Sequence, residues 1–112
     1  MKNDIVYYEH ILECISKIQQ YTKGLEHNEF IKNDMIQDAV IRNLEIIGEA
    51  ANKISKQSKE ENNTIPWKQI IGMRNRLIHD YFGVDSGAVW QTLIDDLPFL
   101  KEKIIKIVDR AD

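Results

Sequence analysis

The chain has little of what loops, staples and sheets require. Of its 112 residues only five are glycine and two proline, too few for the many tight turns of an all-β domain. A single cysteine, Cys14, excludes an internal disulfide framework and a cysteine-based zinc site. No apolar run approaches the ~20 residues that span a bilayer. The first ten residues carry no apolar core of a signal peptide, and the end Val-Asp-Arg-Ala-Asp carries no lipidation box. Charge of one sign is also missing. Fifteen Lys and Arg face eighteen Asp and Glu, a net −3, so the chain is not a bulk electrostatic nucleic-acid binder. With one free thiol the expectation is a soluble cytoplasmic protein with no membrane partner.

What is present is ordinary globular composition, 43% hydrophobic, in a length that fits one domain over residues 1–112. The apolar spacing is helical almost throughout. From about Asp4 to Thr22, Ile5, Tyr8, Leu12 and Ile15 recur at three- and four-residue steps. Ile11, Cys14 and Ile18 widen that face, and Gly24 is a natural stop. A second helix is expected from about Asn28 to Lys56. Its first apolar stripe is Ile36, Val40, Leu44, Ile47, Ala51 and Ile54; Met35, Ala39, Ile46 and Ala50 form another. Two stripes imply two neighbours, or one neighbour and a second subunit. The small run Gly48-Glu49-Ala50-Ala51 permits close backbone approach. Gln57 to Asn63 reads as a polar loop.

Thr64-Ile65-Pro66-Trp67 restarts structure, since proline suits a first helical turn. A third helix should run to about Asp80, with Gly72 as a break and Gly83 as its end. Asp85 or Ser86 then caps a last helix with the seam Trp90, Leu93, Leu97, Leu100, Ile104 and Ile107. Pro98 should kink or split it. The sum is an all-α antiparallel bundle of four or five helices.

One segment places polar groups where apolar ones belong. At ~100° per residue, Ile70, Ile71, Leu77 and Ile78 mark a buried arc. Arg74 falls within it, with Tyr81 on the same line, and Asn75 and His79 share an adjacent stripe. A guanidinium there must be paired or face a wet cleft. In one reading Arg74 pairs with Glu45 or Glu49 of the second helix, His79 is a surface residue and Tyr81 a core aromatic. In the other, the set does chemistry. Arg is a cationic fork for phosphate, His moves protons near neutrality, and Asn75 is a neutral donor and acceptor. These suffice for metal-free RNA cleavage. A base activates the ribose 2′-OH, an acid assists the leaving 5′-oxygen, and Arg offsets the phosphorane charge. One His cannot easily act as both acid and base in one step; two copies across a dimer interface can.

Arg74-Asn75-Arg76-Leu77-Ile78-His79-Asp80-Tyr81 fits the Arg-x4-His-x-Tyr pattern of HEPN-domain ribonuclease toxins. With Arg42 to Ala50, Ile65 to Asn75, Val89-Trp90 and Leu97-Pro98 in order, the chain resembles the HepT branch, partner of the minimal nucleotidyltransferase antitoxin MntA. The resemblance implies an all-helical HEPN bundle, a homodimer with both motifs facing one cleft, and metal-independent endoribonuclease activity toxic to the host cell. It implies that Arg74 binds the scissile phosphate, that His79 transfers protons and that Asn75 helps position them. Tyr81 would be the residue to which the partner adds AMP, a charge and bulk that would block RNA. Glu49 is a candidate to orient Arg74 or simply faces solvent. No cofactor and no metal are expected. The rival is a HEPN-like module that binds nucleotide or a nucleotidyltransferase without cleaving RNA, which the acidic charge favours. His10 and His27 are expected at the surface, Trp67 and Trp90 as core anchors, and Cys14 as an inert core thiol.

Overall fold

In a computed structural model, residues 2–73 and 85–111 are described, and among them there are helices and no strand. The first helix, α1, spans Lys2–Thr22 and ends where Gly24 takes φ +78°, a left-handed value that costs glycine nothing. It packs along α3 (Asp34–Lys53). Tyr8, Ile11, Ile15 and Ile18 from α1 and Val40, Leu44, Ile47 and Ala51 from α3 are essentially water-free. Against α1 lies α7 (Leu97–Ala111), which contributes Leu97, Leu100 and Ile104 to the core. The expected all-α bundle is therefore present.

Three local expectations change and one holds. The predicted continuous helix from Asn28 divides into α2 (His27–Ile31) and α3. Asn33 breaks it by turning its side chain onto the Ile36 N–H at 3.0 Å. That cap favours an extended backbone at Asn33 over continued helix. The polar stretch after Lys56 is not a loop but a short helix, α4 (Lys56–Glu61). Ser55 is its cap, accepting from the Ser58 N–H at 3.1 Å. Polar composition hid it, because α4 contributes no buried residue and is held by its edges. The helix expected from Trp67 starts as α5 (Trp67–Ile71), with Gly72 at its cap and Pro66 immediately before it. The rest of that expected helix, and Gly83, lie outside the described residues.

The last change concerns the helix around Pro98, which alters its winding just before the proline. After α6 (Ser86–Gln91), Thr92–Asp96 form a π-helical turn that runs straight into α7. Leu97 N–H bonds to Thr92 C=O, one residue further back than in an α-helix. Proline's ring clashes with the carbonyl four residues before it in an α-helix. A widened turn just upstream accommodates that ring without a break.

Among the described residues, buried polar side chains are satisfied. Asp4 is 5% exposed. Its carboxylate accepts from Ser55 N–H at 2.9 Å and from Ser55 Oγ at 2.7 Å, joining the start of α1 to the start of α4. Tyr8 Oη and Ser58 Oγ are 2.6 Å apart. Burial pushes the Tyr8 phenol above its ordinary value. It likewise raises the Cys14 thiol, as expected for an inert core group.

Candidate functional site

The segment carrying Arg74, Asn75, His79 and Tyr81 lies outside the described residues. The structure describes the frame that holds its two ends. Upstream, α5 is clamped at both of its own ends. Trp67 donates from Nε1 to Asn62 C=O at 3.1 Å, and its ring lies 6.1 Å from that of Tyr8. At the other end, α3 and α5 come so close that a Cβ on Gly48 would sit 3.1 Å from Ile70 O and 3.5 Å from Ile71 O. No other residue fits there unchanged. The small-residue run thus does what its composition suggested. Gly72 N–H closes onto Lys68 C=O at 3.0 Å, and Met73, 3% exposed, is buried just before Arg74.

Downstream, Asp85 caps α6 by accepting from Ala88 N–H at 3.0 Å, as the sequence indicated. Ser86 Oγ donates to Gln37 Oε1 at 2.8 Å. The Gln37 amide in turn donates to Phe30 C=O at 2.9 Å and Ile31 C=O at 2.8 Å. Trp90 is gripped between Phe30 and His27, with centroids at 5.2 and 5.8 Å. So His27 is exposed, as expected, but it also stacks on Trp90. The Gln37 tie was missed because nothing local marks a glutamine as a clasp between helices.

Both anchors, Gln37 and Gly48, belong to one face of α3, about 16 Å apart at ~1.5 Å per residue. Glu45 lies on that face between them and is half-buried; Glu49 lies one turn on and is exposed. Of the two acids named for Arg74, Glu45 is therefore the more sheltered.

A groove of about 400 Å³ borders the frame. Gln69, Ile70 and Met73 line one side, and Asp95, Asp96, Phe99 and Leu100 the other. It was missed because its walls are distant in sequence. A larger cleft, about 620 Å³, lies between the start of α1, α4 and the end of α7, and its lining includes no residue flanking the motif. Its buried polar groups are already occupied, Asp4 by Ser55 and Tyr8 by Ser58. Among the described residues no group of His, Cys, Asp and Glu side chains could hold a metal ion. No described helix is long and apolar enough to cross a membrane.

Comparison with known proteins bears on this frame. Residues 11–107 match the family described as ribonuclease HepT-like. The chain belongs to that family. Its segment from Arg74 to Tyr81 falls wholly inside the matched range. Among relatives, a Thermococcus cleftensis protein named a probable ribonuclease HepT is 43% identical, over 90% of this chain and 92% of its own length. One from Caldanaerobacter subterraneus subsp. tengcongensis, provisionally named an RNase, is 37% identical over 98% of each chain. A Methanocaldococcus jannaschii protein, named a gamma-glutamylcyclotransferase and provisionally an RNase, is 45% identical over all of this chain, which spans 51% of that longer relative. No solved structure gives a significant match.

Proposed function

We propose that this HepT-like chain is a metal-independent endoribonuclease, the toxin of a toxin–antitoxin pair, acting in the cytoplasm as a homodimer. The observation that carries the reading is the intact Arg74-x4-His79-x-Tyr81 pattern inside a match to a ribonuclease family over residues 11–107. The frame supports it: both ends of the segment are tied to one face of α3. Precise placement is what such chemistry needs. In the reaction, the ribose 2′-oxygen attacks phosphorus and loses its proton to one imidazole. The P–O5′ bond breaks, and the 5′-oxygen gains a proton from the His79 of a second copy. A 2′,3′-cyclic phosphate and a 5′-hydroxyl result. Arg74 carries the phosphate charge in the transition state. Asn75 helps orient the pair, and Glu49 is the candidate to orient Arg74. An MntA-like nucleotidyltransferase silences the site by placing AMP on Tyr81, adding negative charge where RNA phosphate must enter.

The test is RNA cleavage in EDTA by wild type, Arg74→Ala and His79→Ala. Wild type is expected to cleave, with each variant folded and slower by about 10²-fold or more. Equal cleavage by all three refutes the assignment. The net charge of −3 favours a second reading, a non-catalytic module for nucleotide or nucleotidyltransferase; a folded, dimeric wild type with no cleavage selects it. AMP-sized mass increments on wild type but not on Tyr81→Phe, after co-expression with the nucleotidyltransferase, test the switch.

A further inference from the structure

The acidic chain poses a difficulty for a nuclease, and α7 answers it. Between Leu97 and Ala111 lie four basic side chains, Lys101, Lys103, Lys106 and Arg110, against two acids, Glu102 and Asp109. At ~100° per residue, Phe99, Lys103, Lys106 and Arg110 fall within one narrow line on the outer face of that helix. Phe99 is 43% exposed. Lys103 Nζ stands 5.4 Å from its ring centroid. Further along, Lys103, Lys106 and Arg110 form one wall of a cleft of about 200 Å³ whose other wall is Glu61 through Ile65. That opposite wall supplies the neutral polar side chains Asn62, Asn63 and Thr64, and a single acid, Glu61. Glu102 is engaged with Lys106 at 3.3 Å, at the surface. Such an exposed pair is weak and readily exchanged for a phosphate.

The line also leads somewhere. Phe99 shares the 400 Å³ groove with Ile70, Met73 and the acids Asp95 and Asp96, and Met73 is the residue before Arg74. We propose that Phe99, Lys103, Lys106 and Arg110, facing Asn62 to Thr64, form a track for single-stranded RNA that feeds the Arg74/His79 centre; this rests on the nuclease reading above. An exposed aromatic is a stacking platform for any base. Cations one helical turn apart follow a phosphate backbone without reading sequence. From Phe99 to Arg110 the helix rises about 16 Å. Local positive charge then recruits a polyanion that the whole-chain charge repels.

The experiment measures binding of a 12-nucleotide 2′-O-methyl oligouridine, whose blocked 2′-oxygen prevents cleavage, so that its outcome is independent of catalysis. Full-length wild type, the triple variant K103Q/K106Q/R110Q and Phe99→Ala are compared from 50 to 200 mM salt. The substituted groups are largely at the surface, and circular dichroism checks the fold. The triple variant is expected to bind about tenfold or more weaker at 50 mM salt. Its slope of log affinity against log salt should fall by about one to two, as for loss of up to three contacts at ~0.7 each. Phe99→Ala should bind about fivefold or more weaker with the slope unchanged. Wild-type affinity and slope in the triple variant overturn the track, and so does a wild type that does not bind. A triple variant that changes oligomeric state on size-exclusion chromatography overturns it too, because the line would then be a subunit contact. Failure of the Arg74 and His79 substitutions to affect cleavage would strike the nuclease reading and leave this binding result standing.

Discussion

Gly48→Val is the substitution that most directly links packing to activity. In wild type the space beyond Gly48 is filled by the α5 backbone, with Ile70 O 3.1 Å from where a Cβ would stand. An ordinary C···O contact is ~3.3–3.6 Å, so even one carbon is short by a few tenths of an ångström. The neighbour is a main-chain carbonyl and cannot rotate away. Alanine would gain ~0.8–1 kcal/mol of helix propensity, which offsets much of that crowding, so Gly48→Ala should lie within about 1 kcal/mol of wild type. Valine adds two γ carbons and regains less propensity, so overpacking of about 1–3 kcal/mol prevails. For a domain near this size 1 kcal/mol moves Tm by roughly 4–8 °C. The expected drop is thus about 4 °C at the least. Relief requires α5 to move off α3, and α5 leads directly to Arg74. RNA cleavage should fall by about tenfold or more, since misplacement by ~1 Å can cost 10²-fold. Thermal unfolding and cleavage below the lowered Tm are the measurements. If Gly48→Val melts at or above wild type and cleaves as fast, the close approach does not position the site.

Asp4→Ala should cost about 1.5–3 kcal/mol, because it strands Ser55 N–H and Oγ, which the carboxylate accepts at 2.9 and 2.7 Å; urea unfolding that shows no loss would remove this clasp from the account. The raised Cys14 and Tyr8 values predict an alkaline limit. Above their ordinary values of 9.0 and 10.0 the unfolded chain releases protons that the folded chain retains. Stability must then decline as pH rises through that range. Cys14→Ala and Tyr8→Phe should each flatten the decline in urea titrations between about pH 8 and 10.5, whatever their effect at pH 7; an unchanged slope in both would contradict it. Intact wild type should also react slowly with iodoacetamide at pH 8 and fast in denaturant.

Much of the architecture was legible because it rests on local periodicity. The seam from Leu97 to Ile104 and the Val40 to Ala51 stripe are buried as their spacing requires, and Gly24 and Asp85 act at the boundaries they marked. The errors arose where a side chain competed with the backbone or where polar residues concealed order. Asn33 and Ser55 each made a cap in the middle of what composition alone presents as uniform. The motif was visible as residues at a spacing, whereas its supports were not. Gln37 with Ser86, and Gly48 with Ile70, are pairs 49 and 22 positions apart that no periodicity joins.

Residue order on its own therefore determined the helical class, the core faces and the family, since these follow from repeats of three and four residues and from a short chemical pattern. Only the tertiary structure decided which face of α3 carries the frame, that Glu45 is sheltered while Glu49 is exposed, and that Phe99 borders the groove beside Met73. Helix propensity is a property of neighbours along the chain; the approach of two helices depends on how their side chains fill the space between them.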